Sequence, residues 1–349
     1  MNRIYEFLIS IVIVVVLFAV VGLFLPSERV IEDKIESNRP ISTVFDVLDG
    51  FSRFEDWNTL NIDSTLKTQI SDPATGVGAT MSYTSLNRST GQGTWELVES
   101  VPEESLKFKI RDSSLGFDKY MKFKLNRTGP NKKNTEIVQQ YHVDYGWNLF
   151  GRYAGMYVQR NVGDQMKSGL KRLSTFLATV PKLSYADHAE PITFVDVPAV
   201  NALVGTVISD RDNNKIATNI VTQMAWINKI IAANGLVASG PMRIVTNEFT
   251  ATNYSFDVVQ PVTKDGATEG DWDIQTEGKI VFEKFPAGRA VTTDYTGYAT
   301  GLDRERQVIR AWAMVKGAET DNRAYEEYLV APEAMMTDTA KFKVYWPIK

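Results

Sequence analysis

The spacing of apolar and polar positions changes character several times along the chain. Residues 7–25, FLISIVIVVVLFAVVGLFL, are apolar on every side and carry no charge. As a helix they span roughly 28 Å at 1.5 Å per residue, close to the hydrocarbon thickness of a bilayer. Pro26 ends the run, because it lacks an N–H and clashes with the preceding turn. A secretory signal peptide has a shorter apolar stretch of about 7 to 15 residues and closes on a small-x-small site. Gly22-Leu23-Phe24-Leu25 offers no such site. The pattern predicts a retained transmembrane helix, with residues 1–26 forming the anchor.

A period of two follows. ERVIEDKIES (28–37) alternates as a half-buried strand does. Pro40 opens a short helix over 40–49, with Ile41, Val44, Phe45 and Val47 or Leu48 inward. Strand-like phrases come next: TMSYTSL, GTWELVES, SLKFKIR, KYMKFKL and EIVQQYHVDY. Asp72-Pro73, Gly91-Gln92-Gly93 and Thr128-Gly129-Pro130 mark turns between them. A period of 3.6 then predicts a helix over about 157–179, with Val162, Met166, Leu170, Leu173 and Leu177 on one stripe. Residues 27–180 thus read as strand, helix, antiparallel strands and one closing helix. The polar, proline-bounded stretch 181–190 reads as a linker.

The remainder repeats itself. ITFVDVPAVNALVG (192–205) resembles IVFEKFPAGRAVTT (280–293), with Ile192 and Ile280, Phe194 and Phe282, and Pro198-Ala199 and Pro286-Ala287 each 88 apart. A helical stripe follows each: Ile216, Ile220, Met224, Ile227 and Ile231 in the first, Val308, Trp312 and Val315 in the second. Ala225-Trp226 recurs as Ala311-Trp312, and FDVVQPV (256–262) as FKVYWPI (342–348), both 86 apart. Landmarks in the same order at nearly one offset mark a duplication. Residues 191–349 are predicted to hold two strand–helix–strand–strand units, about 191–264 and 279–349. One unit cannot bury both its sheet and its helix, so two pair, and a groove between them is a natural ligand site. The fold class is α+β.

Composition narrows the function. Net charge is −4 and no basic run exceeds two residues, which argues against a nucleic-acid surface. The chain has no cysteine, so disulfides, thiolate nucleophiles and Cys-type zinc sites are excluded. Arg3 precedes the apolar helix, whereas Arg29, Lys34 and Arg39 follow it among four acids, so the positive-inside count does not set orientation. A short head before a long folded body usually stays in the cytoplasm, which puts the folded body outside the membrane. The absent thiols lean the same way.

Few residues carry candidate chemistry. Glu326 and Glu327 fall on opposite faces of a strand; Glu326 shares its face with Tyr328. A lone carboxylate among aromatic rings suits an organic cation, and Tyr254, Tyr295 and Trp346 are candidates for the same groove. Trp226 and Trp312 lie on helical stripes and are expected in the core. In the first body Trp57, Trp95, Phe108, Tyr120 and Trp147 either wall a cavity or fill it. His142 and Asp144 share a strand face, but His188 is the only other histidine, so no metal site is expected. No nucleophile elbow, phosphate loop or dinucleotide fingerprint is present, and no cofactor is expected.

Two resemblances extend this reading. AYEEYLVAP (324–332), followed by the last Phe-x-Val-x-x-Pro strand, resembles the DNA gyrase inhibitor-like (GyrI-like) effector-binding domain over 191–349. That family's central carboxylate falls on Glu326. The helix at 40–49, FEDWNTL (54–60), the Gly76-Val77-Gly78-Ala79 turn and the long last helix resemble the START-like, polyketide cyclase and lipid-transport (SRPBCC) superfamily. This resemblance implies a helix-grip fold, with a curved sheet around the long helix and an apolar cavity between. Effector domains of transcription regulators follow a helix-turn-helix module; here an anchor and a cavity fold stand instead, so a DNA-binding regulator is not implied. The expected function is a membrane-anchored, non-catalytic binding protein for small hydrophobic or cationic molecules. The alternatives are a small-molecule hydrolase or cyclase using Glu326 as general base with Tyr328, and an envelope interaction scaffold.

Overall fold

The computed structural model describes residues 2–250, 252–321 and 323–349. The chain divides after Lys182 into two compact units.

The first unit begins with helix α1 (Asn2–Phe24). Within it, Arg3–Phe24 is long and apolar enough to cross a membrane, and almost none of that stretch is buried in the protein. Strand β1 (Glu28–Ser37) follows, then α2 (Ile41–Leu48) and the short α3 (Phe54–Trp57). Proline before α2 presets the backbone for helix entry. Strands β2 (Lys67–Ile70), β3 (Thr80–Thr84), β4 (Gln92–Val101), β5 (Ser105–Asp112), β6 (Phe117–Thr128) and β7 (Asn134–Asp144) complete an antiparallel sheet of order β1-β7-β6-β5-β4-β3-β2. Alternation divides each strand between two faces: in β6, Lys119, Met121, Phe123 and Leu125 are buried, while Tyr120, Lys122 and Lys124 are not. Helix α5 (Asp164–Thr179) covers the inner face with Met166, Leu170, Leu173 and Leu177. This is the helix-grip arrangement.

The closing helix starts earlier than its apolar stripe predicts. Helix α4 (Leu149–Ala154), a tight turn over Gly155–Tyr157 and a wide turn over Gln159–Gly163 lead continuously into α5. Glycine masks this start. A Cβ on Gly151 or Gly155 would stand 2.7 Å from the Tyr145 ring, so the helix can lie on that ring only where it has no side chain.

The second unit contains β8 (Thr193–Val197), β9 (Val200–Asp210), α6 (Asn213–Ala233), β10 (Val237–Ala238), β11 (Met242–Phe249) and β12 (Asn253–Thr263) from the first copy. The second copy supplies β13 (Ile280–Phe285), β14 (Gly288–Thr296), α7 (Leu302–Val315), β15 (Tyr325–Tyr328) and β16 (Lys341–Ile348). All strands join one sheet of order β13-β9-β12-β11-β15-β16-β14-β8, with β10 beside β12. From either end the order is the same once the copies are exchanged, so a pseudo-twofold axis passes between β11 and β15. The first strand of each copy pairs with the other copy: β8 lies on β14 and β13 on β9. Pro198-Ala199 and Pro286-Ala287 break the chain just before β9 and β14. Proline has no N–H for the ladder, and at these points the chain leaves one edge and joins another.

Both helices cover one face. Ile220, Ile227 and Ile230 of α6 and Leu302, Ile309 and Ala313 of α7 pack on Ile244, Phe256, Val258, Phe342 and Val344. The expectation that Trp226 and Trp312 are core residues holds in part only for Trp312, which is half-buried with its ring 5.0 Å from Phe194. Trp226 lies on the outer side of α6, 43% exposed, beneath the Lys229 ammonium.

Candidate ligand sites

The first unit holds a cavity of about 1010 Å³ between the sheet and α5. Inward strand positions supply Tyr83, Trp95, Ile110, Met121, Gln139 and Tyr141, α3 supplies Trp57, and α5 supplies Met166. Deeper in, Phe51, Phe54, Phe108 and Phe123 interlock at centroid distances of 5.5 to 6.2 Å and fill the space. The hollow begins where that aromatic packing stops.

Two buried polar atoms on residues that line this cavity have no hydrogen-bond partner among the described residues. Gln139 is 3% exposed; its amide nitrogen meets the Met121 sulfur at 3.2 Å, but Oε1 accepts nothing. Trp57 is 2% exposed and its indole N–H donates to nothing. An unsatisfied buried group costs about 1–3 kcal/mol, a penalty that a hydrogen-bonding partner would offset. Elsewhere on the wall Asp112 and Ser114 are satisfied. Lys119 donates to Asp112 and to the Ser114 carbonyl and hydroxyl. Burial pushes the Asp112 carboxyl up, but the hydrogen bonds and charge of Lys119 and Ser114 outweigh it and hold the group below the usual carboxylate range. Burial, with help from Asp112, pushes the Tyr83 phenol up to about 12 and raises Tyr141 as well. Both stay neutral hydroxyls at ordinary pH.

Of the aromatic residues picked from the sequence, Trp57 and Trp95 line the cavity, and Phe108 belongs to the filled core beside it. Tyr120 is on the outer face, stacked on His142 at 4.5 Å under Lys107. Trp147 follows β7 and is 83% exposed. Gln139, Tyr83 and Tyr141 were missed. The signal for Gln139 was present: Ile137, Gln139, Tyr141 and Val143 form one alternating phase, with an amide where an apolar residue belongs.

The second candidate centre surrounds Glu326, which is 1% exposed. Arg306 of α7 meets it in a two-pronged contact, Nε to Oε2 at 3.1 Å and Nη2 to Oε1 at 2.6 Å. Arg306 also lies 3.4 Å from the Tyr254 hydroxyl, which pairs with Thr246 at 3.1 Å. Burial opposes the Arg306 charge, but the adjoining Glu326 carboxylate more than offsets it and raises the guanidinium pKa. Tyr328 packs edge-on against Phe342 at 4.9 Å, and Phe342 stacks on Tyr295 at 6.0 Å. Glu326, Tyr328 and Tyr254 are therefore together, with Tyr295 one ring removed. Trp346 points to the same face but donates its N–H to the Asp321 carbonyl. Glu327 faces the other side, held by Arg243 at 3.0 Å and by the Tyr345 hydroxyl at 3.0 Å.

Both Glu326 oxygens are engaged, so the charge is neutralised from within the chain. The duplication makes the pair conspicuous. Ile244 and Glu326 are equivalent, since their strand partners Val258 and Val344 stand 86 apart, and Ile220 stands 86 before Arg306. One copy buries Ile220 and Ile244; the other buries Arg306 and Glu326. Arg306 was thus legible as a charge at an apolar helix position. His142 is bracketed by the Asp118 carbonyl at 3.1 Å and Glu28 at 3.2 Å. Among the described residues no group of three metal-ligating side chains forms.

Sequence comparison with curated proteins gives no match. Among solved structures, the chain is similar to the C-terminal domain of EcmrR, with 18% identity and a TM-score of 0.38 over 46% of this chain and 98% of that one. The EcmrR–DNA complex aligns with 18% identity and a TM-score of 0.39 over 58% and 71% of the respective chains. A Thalictrum norcoclaurine synthase mutant aligns with 12% identity and a TM-score of 0.36 over 43% and 94%. Within the sequence itself, residues 28–177, the whole of the first unit's sheet and most of its closing helix, match the family model described as polyketide cyclase / dehydrase and lipid transport.

Proposed function

We propose that the protein is a membrane-anchored, non-catalytic binder of small amphipathic molecules, with its ligand in the first unit's cavity. The observation that carries this reading is the pair of buried polar atoms, Gln139 Oε1 and the Trp57 N–H, that have no partner among the described residues and belong to residues lining a cavity of mixed apolar and polar wall. They call for a ligand with an apolar body and a neutral end that both donates and accepts, such as an amide or hydroxyl. The volume lies at the upper end of the roughly 300–1000 Å³ usual for small-molecule sites. Retention of α1 as an anchor is supported by its contacts: Arg152, 8% exposed, donates to the carbonyls of Leu23 and Leu25, and the Tyr153 hydroxyl to that of Phe18. Removing α1 as a leader would strand both side chains. The soluble units are placed on the periplasmic side of a bacterial inner membrane, which the lack of thiols favours. The test is to titrate the full chain with single-chain amides, alcohols and carboxylates while following tryptophan fluorescence. Amides or alcohols should saturate; if no member of the panel does, the reading falls.

A second reading places a cationic aromatic ligand near Glu326, Tyr328, Tyr254, Tyr295 and Trp346. Its support is the charged pair that breaks the duplication. Such a ligand would have to displace Arg306 from the carboxylate. A cationic dye whose affinity survives Glu326→Gln removes this reading. A hydrolase using Glu326 as base is disfavoured for the same reason, because both oxygens already accept from Arg306.

A further inference from the structure

Between β7 and α5 the chain reads WNLFGRYAGMY, residues 147–157, with Arg152 its one charge and no acid. Four large apolar side chains there are turned outward: Trp147 83%, Phe150 71%, Met156 55% and Tyr157 61% exposed. A folded unit rarely leaves so many in one short segment unless something covers them. The segment lies against the end of α1. Phe18 stacks on Tyr153 at 4.4 Å and meets Phe150 at 5.2 Å, and Gly22 faces Leu149 and Tyr153 closely enough that a Cβ would stand 3.2 Å from each. Arg152, its guanidinium 5.6 Å from the Trp147 ring centroid, donates to the Leu23 carbonyl in the last turn of α1 and to the Leu25 carbonyl just past its end. Those carbonyls have no partner within the helix, and the helix dipole favours a cation there.

We propose that residues 147–157 form a second membrane contact, a short apolar segment built on α4 that lies in the lipid interface beside the anchor. The proposal rests on the reading of α1 as membrane-spanning. Phe18 precedes Phe24 by six residues, about 9 Å of helix rise. A segment packed beside Phe18 therefore sits as deep as interfacial helices do, about 5–10 Å into the headgroup and acyl boundary. Trp and Tyr are the residues that prefer this depth, where an apolar ring and a polar edge are both satisfied. The contact would fix the first unit's tilt on the bilayer. It would also bring the cavity wall that starts at Arg160, three residues beyond Tyr157, close to the lipid surface.

The cysteine-free chain allows a direct test. Single variants Val14→Cys, Phe150→Cys, Tyr157→Cys and Leu86→Cys, all at exposed positions, are spin-labelled in the full chain. The chain is then reconstituted in phosphatidylethanolamine–phosphatidylglycerol vesicles. Collision with oxygen, which partitions into lipid, is compared with collision with a water-soluble nickel chelate. Labels at 150 and 157 should be shielded from the chelate several-fold relative to 86, and lie shallower than 14. If 150 and 157 match 86 while 14 is deep, the interfacial contact is refuted and the anchor stands. If 14 itself meets the chelate, the anchor reading fails and the proposal with it. If shielding at 150 rises with protein density in the vesicle, another protein copy covers the face, and the lipid assignment is overturned.

Discussion

Gln139 in the first unit and Glu326 in the second break the same rule: each is a polar side chain in the inward phase of a β-strand, 3% and 1% exposed. Their outcomes differ. Glu326 brings its own partner, and Arg306 closes on both of its oxygens. Gln139 keeps one oxygen unpartnered beside a cavity. Burying a charge costs several kcal/mol unless a counter-charge accompanies it, so the chain must supply that partner itself. A neutral amide costs about 1–3 kcal/mol when unpaired, a penalty a fold can carry until a ligand relieves it. The packed centre supplies its own counter-charge, and the proposed site is the hollow one, where an amide oxygen stays unpaired among the described residues.

Breaking the ion pair should have the largest effect. Arg306→Leu leaves a buried carboxylate alone and should lower stability by about 3–5 kcal/mol, read from the urea midpoint of the second unit's transition. Adding Glu326→Leu remakes the apolar pair that Ile220 and Ile244 form in the other copy. The double variant should return to wild-type stability or above. A double variant as unstable as the single one would mean that Arg306 and Glu326 do not act as a pair.

Gln139→Leu should act in the opposite direction. Removing an unpartnered amide oxygen should stabilise the ligand-free protein by about 1 kcal/mol while weakening ligand binding about tenfold, the loss of one hydrogen bond. Thermal unfolding and a binding titration of the same variant check both signs.

A smaller effect concerns acid. Asp112 has a lowered pKa in the folded protein, owing to Lys119 and Ser114 against the pull of burial. Its stabilisation is present above the unfolded value of about 4 and is lost as pH falls through the lower folded value. Asp112→Asn should flatten that acid limb, measured as urea midpoints between neutral and strongly acidic pH. An unchanged slope would remove Asp112 as its source. The smallest effect should come from the repeated tryptophans. Trp226→Ala should change stability by no more than about 0.5 kcal/mol, as for other surface sites, and Trp312→Ala by more, because Trp312 packs on Phe194.

Much of this was legible in the sequence. Offsets of 86 to 88 announce two equivalent copies, and the sheet order obeys them. The exchange of β8 and β13 between copies was not legible, because an offset states which strands are equivalent and not which ones pair. Alternation could have sorted the aromatic residues: Tyr120 and Phe123 are three apart on one strand, so only one faces inward, and it is Phe123. Composition favoured rings as cavity walls and hid Gln139, whose meaning lies in its phase. Glu326 stood out as a lone acid, but its partner is a helix residue twenty positions earlier, a pairing that only the tertiary fold makes visible. The start of the closing helix was masked because Gly151 and Gly155 pack through their bare backbone and leave no apolar stripe.

The most direct measurement is one titration, with a single long-chain primary amide, of the full chain and of its Gln139→Leu and Glu326→Gln variants, read by tryptophan fluorescence. The expected result is saturable binding that Gln139→Leu weakens about tenfold and Glu326→Gln leaves within about twofold. Loss of binding in Glu326→Gln with Gln139→Leu unchanged would contradict it and move the ligand to the second unit.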